Sequence, residues 1–169
     1  MQIKRDDIIF MDTNVIIEAE RAGILKHLAG HYENLTTVEK CVEELNTGNK
    51  TAPDYVPVDT EFVKGSMSVK QVSQKETIEL LLKLNNEVTV HDGEKELLAH
   101  INGQNVKIFY ICSPDRACII AAGKLGLIDK VISLENLTES CGIKNSKLRN
   151  HFSKKWLQDF KTKLALESI

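Results

Sequence analysis

No stretch of this chain approaches the roughly 18 consecutive apolar residues that a membrane span needs. Behind the N-terminal MQIKRDD only four apolar residues precede Asp12, too few for the apolar core of a signal peptide. Both absences point away from a membrane and towards the cytoplasm. The 4 cysteines, Cys41, Cys112, Cys118 and Cys141, include no CxxC pair, which argues against zinc and disulfides and for reduced, mostly buried thiols. Neither GxxxxGK[ST] nor GxGxxG occurs, so the Gly-rich phosphate cradles are missing. His27 and His31 have helical spacing but lack the HExxH glutamate, and they read as packing or surface residues. The chain also has no internal repeat and no low-complexity segment.

What is there is an ordinary globular composition, 42% hydrophobic and 27% charged over 169 residues, enough for one domain with its own core. The formal charge of −2 hides an uneven distribution. Between positions 144 and 163, seven basic side chains (Lys144, Lys147, Arg149, Lys154, Lys155, Lys161, Lys163) meet one acid, Asp159, for a local charge of +6; the remainder carries 15 basic and 23 acidic residues, or −8. An acidic body can hold cations while a basic end holds a polyanion. A solvated helix face is the plainer alternative for such a run.

Strand-like apolar runs at Ile8 to Met11, Leu35 to Val38, Val88 to Val90, Lys107 to Cys112 and Lys130 to Ile132 alternate with helical patterns. That alternation predicts an α/β fold, three-layer α/β/α, around a mostly parallel sheet of about five strands. Between the second and third runs, residues 51–73 contain Pro53, Pro57 and Gly65 without helical period, and predict a long loop or an irregular hairpin. Helical character returns at Lys75 to Leu84. A last helix near Ser153 to Leu166 presents Phe152, Trp156, Phe160 and Leu164 at fourfold spacing for docking. The expected organisation is a domain over 1–142 with a loop insertion at 51–73, and a basic helical extension over 143–169 packed on it.

In parallel sheets of this kind ligands bind beyond the carboxyl ends of the strands, and that is where the acids fall. Asp12 ends the first run, and with Thr13 or Asn14 capping a helix from Val15 it is free for another role, although capping by Asp12 itself is the ordinary alternative. Thr36 and Glu39 have capping-box spacing for a helix through Asn46 whose apolar stripe is Val38, Cys41, Val42 and Leu45. At 100° per residue Glu44 lies about 110° from the centre of that stripe and can lean into a cleft, whereas Glu43 faces water. In DGEKELLAHI, Glu94 shares a face with Leu97, Leu98 and Ile101; in SPDRACIIAAG, Ser113 suits a cap, Pro114 a first helical residue, and Asp115 shares a face with Cys118, Ile119 and Ala122. Each acid alone also suits a first helical turn. Together, inward carboxylates with no lysine or arginine on the same stripes call for neutralisation, and a hard divalent cation such as Mg²⁺ or Mn²⁺ supplies it.

At these residues the sequence resembles the PIN-domain nuclease family: FMDTN with Asp12, Thr13 and Asn14; EELNTG with Glu44; GEKELLAHI with Glu94; and SPDRA with Ser113, Asp115 and Arg116. The resemblance spans roughly residues 7 to 140. It implies a five-stranded parallel sheet and metal-dependent cleavage of phosphodiesters, usually of RNA. It also implies Asp12, Glu44, Glu94 and Asp115 as the acidic metal-holding cluster, with Thr13, Asn14 and Ser113 positioning it. Asp92 and Glu96 stay open as substitutes for Glu94. The loop and the extension make the chain longer than the compact toxin members of that family, so an inhibitor or antitoxin partner stays open, as does a homodimer.

The expected chemistry is hydrolysis by water activated on one or two ions, with Arg116, Lys147, Arg149, Lys154 and Lys155 gripping the polynucleotide. Two alternatives stand beside it. One is a non-catalytic RNA-binding or assembly module that keeps an acidic pocket. The other is a phosphatase using Asp12 as nucleophile, although DTNVI lacks the DxD continuation such enzymes carry.

Overall fold

A computed structural model describes residues 2–144 and 146–167; Met1 of the expected domain, and Asn145, Ser168 and Ile169 of the expected extension, lie outside them. Strands β1 (Ile8–Met11), β2 (Asn34–Val38), β3 (Ser68–Lys70), β4 (Phe109–Cys112) and β5 (Val131–Ile132) form one sheet in the order β3-β2-β1-β4-β5, every neighbouring pair parallel. Successive side chains of a strand point to opposite faces, and both faces here are apolar. Ile9, Met11, Leu35, Cys112 and Ile132 enter one core, while Phe10, Val38, Phe109, Ile111 and Val131 enter the other.

Helices α1 (Thr13–Arg21), α2 (Leu25–His31), α4 (Thr60–Ser66) and α8 (Leu134–Ser140) supply the first core through Val15, Ile16, Leu25, Leu28, Val63 and Leu137. Helices α5 (Gln74–Leu84), α6 (Asp92–Gly103), α7 (Arg116–Lys124) and α9 (Lys154–Glu167) supply the second through Leu80, Leu97, Leu98, Ile119 and Leu157. Between them α3 (Glu39–Leu45) gives Val42 and Leu45 to the first and Cys41 to the second. The result is the expected three-layer α/β/α architecture around a five-stranded sheet, parallel throughout. Among the described residues no helix is long and apolar enough to cross a membrane. All four cysteines are free, and Cys41, Cys112 and Cys118 are buried.

Several expectations need correction. Val88 to Val90 is not a strand: behind the left-handed Asn85 and Asn86 (φ 52° and 56°) the two valines pack half-buried against the second core. The strand beside β2 is β3, inside the stretch expected to be a loop, which also holds α4. Asp59 caps α4 by accepting from the Glu61 and Phe62 N–H groups. Thr36 and Glu39 form no capping box, because Thr36 still belongs to β2 and Val38 occupies the cap position. Nor do Thr13 or Asn14 cap α1: β1 ends at Met11 and α1 begins at Thr13, so only Asp12 stands at the cap. Likewise α7 begins at Arg116, not Pro114, and its cap is Asp115 rather than Ser113.

Candidate metal centre

From β1 the chain crosses to β2 on one side and, much later, to β4 on the other. The gap between the carboxyl ends of β1 and β4 is therefore the topological switch point, where open parallel sheets leave a crevice. Met11 pairs with Cys112 in register, and the next residues, Asp12 and Ser113, meet there. The Asp12 N–H donates to the Cys112 carbonyl at 3.4 Å, and the Ser113 hydroxyl donates a short hydrogen bond to Asp12 Oδ2.

Three of the four carboxylates in the crevice are fixed by hydrogen bonds at element ends. Asp12 Oδ1 accepts from the Val15 N–H at 2.9 Å, and Asp115 Oδ1 accepts from the Cys118 N–H at 2.8 Å. Ser113 Oγ also accepts from the Asp115 N–H at 3.2 Å, so one hydroxyl ties the two caps together. Glu44, half-buried on α3, is held from two sides: Thr13 Oγ1 donates to Oε2 at 3.0 Å and the Gly93 N–H donates to Oε1 at 2.9 Å. A Cβ on Gly93 would lie 2.5 Å from Glu44 Oε2, so any larger residue here would displace the Glu44 carboxylate. Glu94 follows on α6, 4% exposed, and its Oε2 is buried without a hydrogen-bond partner.

Burial lifts the Asp12 carboxyl to about 7; the Ser113 and Val15 hydrogen bonds pull it down, and the negative charges of Glu94 and Asp115 push it further up. Glu94 is likewise raised, first by burial, against a backbone hydrogen bond, with Asp115 and Glu44 adding to the rise. The four carboxylates thus act on one another electrostatically. Among the described residues none of them forms an ion pair with a lysine or arginine. Of the substitutes for Glu94, Asp92 is exposed and bonded to Lys95 at 3.1 Å, and Glu96 faces the charges of Lys40 and Glu43.

Among the described residues, no three His, Cys, Asp or Glu side chains are arranged as a group that could hold a metal by themselves. Mg²⁺ does not require one: it is commonly held by one or two carboxylates and completes its shell with water and phosphate oxygens. Hard oxygen donors, an orphaned Glu94 Oε2 and an unneutralised Asp12 are chemically suited to such an ion, which Asp12 and Glu94 would hold with the charges of Glu44 and Asp115 nearby.

The other sequence-predicted residues are placed differently. Asn14 is exposed on the first turn of α1. Arg116 lies over the rings of Trp156 and Phe160, 6.0 and 5.9 Å from their centroids. Of the basic end, Lys154 pairs with Glu139 at 2.7 Å and Lys155 with Asp159 at 2.8 Å, both at the surface. Lys147 is exposed and its carbonyl accepts from Arg21 at 2.6 Å. Arg149 serves structure: its N–H donates to Glu18 Oε2 at 2.7 Å and its guanidinium lies 3.7 Å from Glu18 Oε1. Sequence reasoning missed both Glu18, an acid 2% exposed on α1, and Gly93. The signal for Gly93 was a poor helix former inside a first turn, which marks a close approach; Glu18 had none. No protein-family model matches the chain, and no curated protein matches it; the chemistry of the crevice rests on its own residues.

Proposed function

We propose that the chain is a metal-dependent nuclease, an endoribonuclease of the PIN type that hydrolyses RNA phosphodiesters with Mg²⁺ or Mn²⁺ in the cytoplasm. The observation that carries this reading is a fully buried Asp12 at the switch point with no cationic partner among the described residues, acted on by the charge of Glu94, whose Oε2 is buried without a partner. An unpaired buried carboxylate costs several kcal/mol, and a hard cation offsets that cost. A bound ion supplies activation of the attacking water and neutralises charge developing on the phosphate. Asp12 and Glu94 would hold it; Ser113 and the Val15 N–H orient Asp12, and Thr13 and the Gly93 N–H fix the Glu44 carboxylate.

Incubation with a mixed pool of single-stranded and structured RNA tests the reading. Cleavage should appear with Mn²⁺ or Mg²⁺ and stop with chelator. Asp12→Asn keeps the cap, since asparagine caps as well as aspartate, but loses the charge; its cleavage should fall at least about 100-fold in a folded protein. Full activity in that variant removes Asp12 from the mechanism. The lack of a ready three-ligand group favours a second reading, a non-catalytic RNA-binding module. That module would hold the pool intact with either cation.

A further inference from the structure

Beside the acidic crevice lies a second, open cleft of about 400 Å³, lined by Asn14, Pro114, Asp115, Arg116, His151 and Trp156. One wall belongs to the carboxyl ends of β1 and β4, through Asn14 and the Pro114 to Arg116 turn. The other comes from the C-terminal segment, through His151 and Trp156. Next to the cleft a narrow, largely apolar void, too tight for water, is lined by Val15, Cys112 and Ser113 on one side and by Phe152, Trp156 and Leu157 on the other. The cleft shares Pro114, His151 and Trp156 with this void, which reaches Ser113, the residue holding Asp12.

We propose that this cleft binds a nucleobase of single-stranded nucleic acid next to the phosphate in the acidic crevice, with Trp156 as the stacking surface and Arg116, His151 and Asn14 around the base. The polynucleotide is taken from the nuclease reading; the cleft and its lining are not. Four features select this ligand. Trp156 is only half-buried although it stacks on Phe160, with centroids 5.5 Å apart and planes 14° from parallel, so the indole is braced yet still lines the opening. The Arg116 guanidinium, already 6.0 Å from the indole centroid, is a flat cation that stacks on aromatic systems and can also meet a phosphate. His151, exposed and tilted 41° against Phe152 at 4.3 Å, adds a second ring. The exposed Asn14 amide offers both a donor and an acceptor, which suits the polar edge of a base and not a lipid tail. Proteins that hold unpaired bases combine such aromatic platforms with cations, and stacking tolerates any base. Asp115 belongs to both the cleft and the crevice, so a base in the first puts its neighbouring phosphate beside the second.

The only tryptophan of the chain is Trp156, so emission excited at the red edge, where tyrosine does not absorb, reads this cleft alone. The wild-type protein, in chelator, is titrated with a fluorescently labelled oligoribonucleotide of about eight nucleotides, within the usual range of single-strand sites. A second strand of equal length carries abasic sites throughout its centre. The intact strand should quench Trp156 emission in step with its binding curve, and the abasic strand should bind more weakly without quenching. Trp156→Leu keeps an apolar contact for α9 and should weaken the intact strand about 5- to 150-fold, the loss expected for one stacked base. It should leave the abasic strand unaffected, and Trp156→Phe should recover part of the loss. Binding without quenching, equal affinity for the two strands, or no binding overturns the proposal. Cleavage of the RNA pool in Mn²⁺ is scored separately: cleavage without quenching removes the cleft and leaves the nuclease reading standing, whereas base-dependent quenching without cleavage does the reverse.

Discussion

Asp12 caps α1, closes the gap between β1 and β4 and carries a carboxyl that burial lifts to about 7 against an ordinary 3.8. Below about pH 4 both folded and unfolded chains carry its proton, and stability is unaffected. As pH rises towards 7 the unfolded chain sheds that proton while the folded one keeps it, so stability drains away, by about 4 kcal/mol in all at about 1.4 kcal/mol per unit. Asp12→Asn does not titrate. Its unfolding free energy relative to wild type, from urea titrations in chelator between pH 4 and 8, should therefore rise with pH, and parallel curves would show Asp12 unburdened. Mn²⁺ should release protons and close the gap for wild type alone. Gly93→Ala separates fold from site at the same scale. The added Cβ evicts the Glu44 carboxylate from its 2.9 Å bond to the backbone, yet alanine suits the first turn of α6. The melting temperature should hold, while calorimetry should record Mn²⁺ affinity roughly 10- to 100-fold lower. Unchanged affinity would make Gly93 a packing residue only.

Among the elements, the central strands were legible because β1 and β4 are buried on both faces, and a doubly buried strand is written as an unbroken apolar run. β3 was not: Ser68–Lys70 is an edge strand with two exposed residues of three, and nothing in SVK announces it. VTV at 88–90 has the strand alphabet, but β2 already takes β3 as its outer neighbour and β4 takes β5, so no edge is left beside them. For the site, Glu94 and Asp115 were readable from the face they share with Leu97 and Ile119, whereas the division of labour among Asp12, Thr13 and Asn14 depended on a one-residue turn that spacing does not specify. The clasp on the C-terminal segment was invisible, since Glu18 meets Arg149 across 131 positions. Burial opposes the charge of Glu18, but Arg21 and the Arg149 N–H outweigh it and keep its carboxyl below the ordinary 4.5. Its stabilisation is full above that value and is lost as pH falls beneath it. Glu18→Gln should cost about 2 kcal/mol at neutral pH, in line with hydrogen bonds to a charged group, and should speed amide exchange at Arg149. Wild-type exchange there would mean that the segment is held by its other contacts, among them Phe152, Leu157 and the Arg21 bond to the Lys147 carbonyl.

At the scale of the whole molecule, charge is divided between an acidic crevice and a basic end whose pairs are mostly solvent-exposed. Such pairs contribute about 0 to 1 kcal/mol and yield readily to a polyanion. Replacing Lys147, Lys154 and Lys155 with glutamine, and leaving Arg149 in its clasp, should reduce the slope of log affinity against log salt by about two, at about 0.7 per phosphate on a single strand. An unchanged slope would assign those lysines to solvation. Sheet order has a consequence of another kind. Asp12 and Ser113 touch, yet 101 positions separate them, and β1 gains β4 only after β2, β3 and α6 have been laid down. During synthesis, the first two-thirds of the chain holds Asp12, Glu44 and Glu94 before Ser113, the residue after β4 that holds Asp12, has been made. On the nuclease reading proposed above, the acids would meet only once β4 has left the ribosome, so the site would be unset while the chain emerges beside its own message.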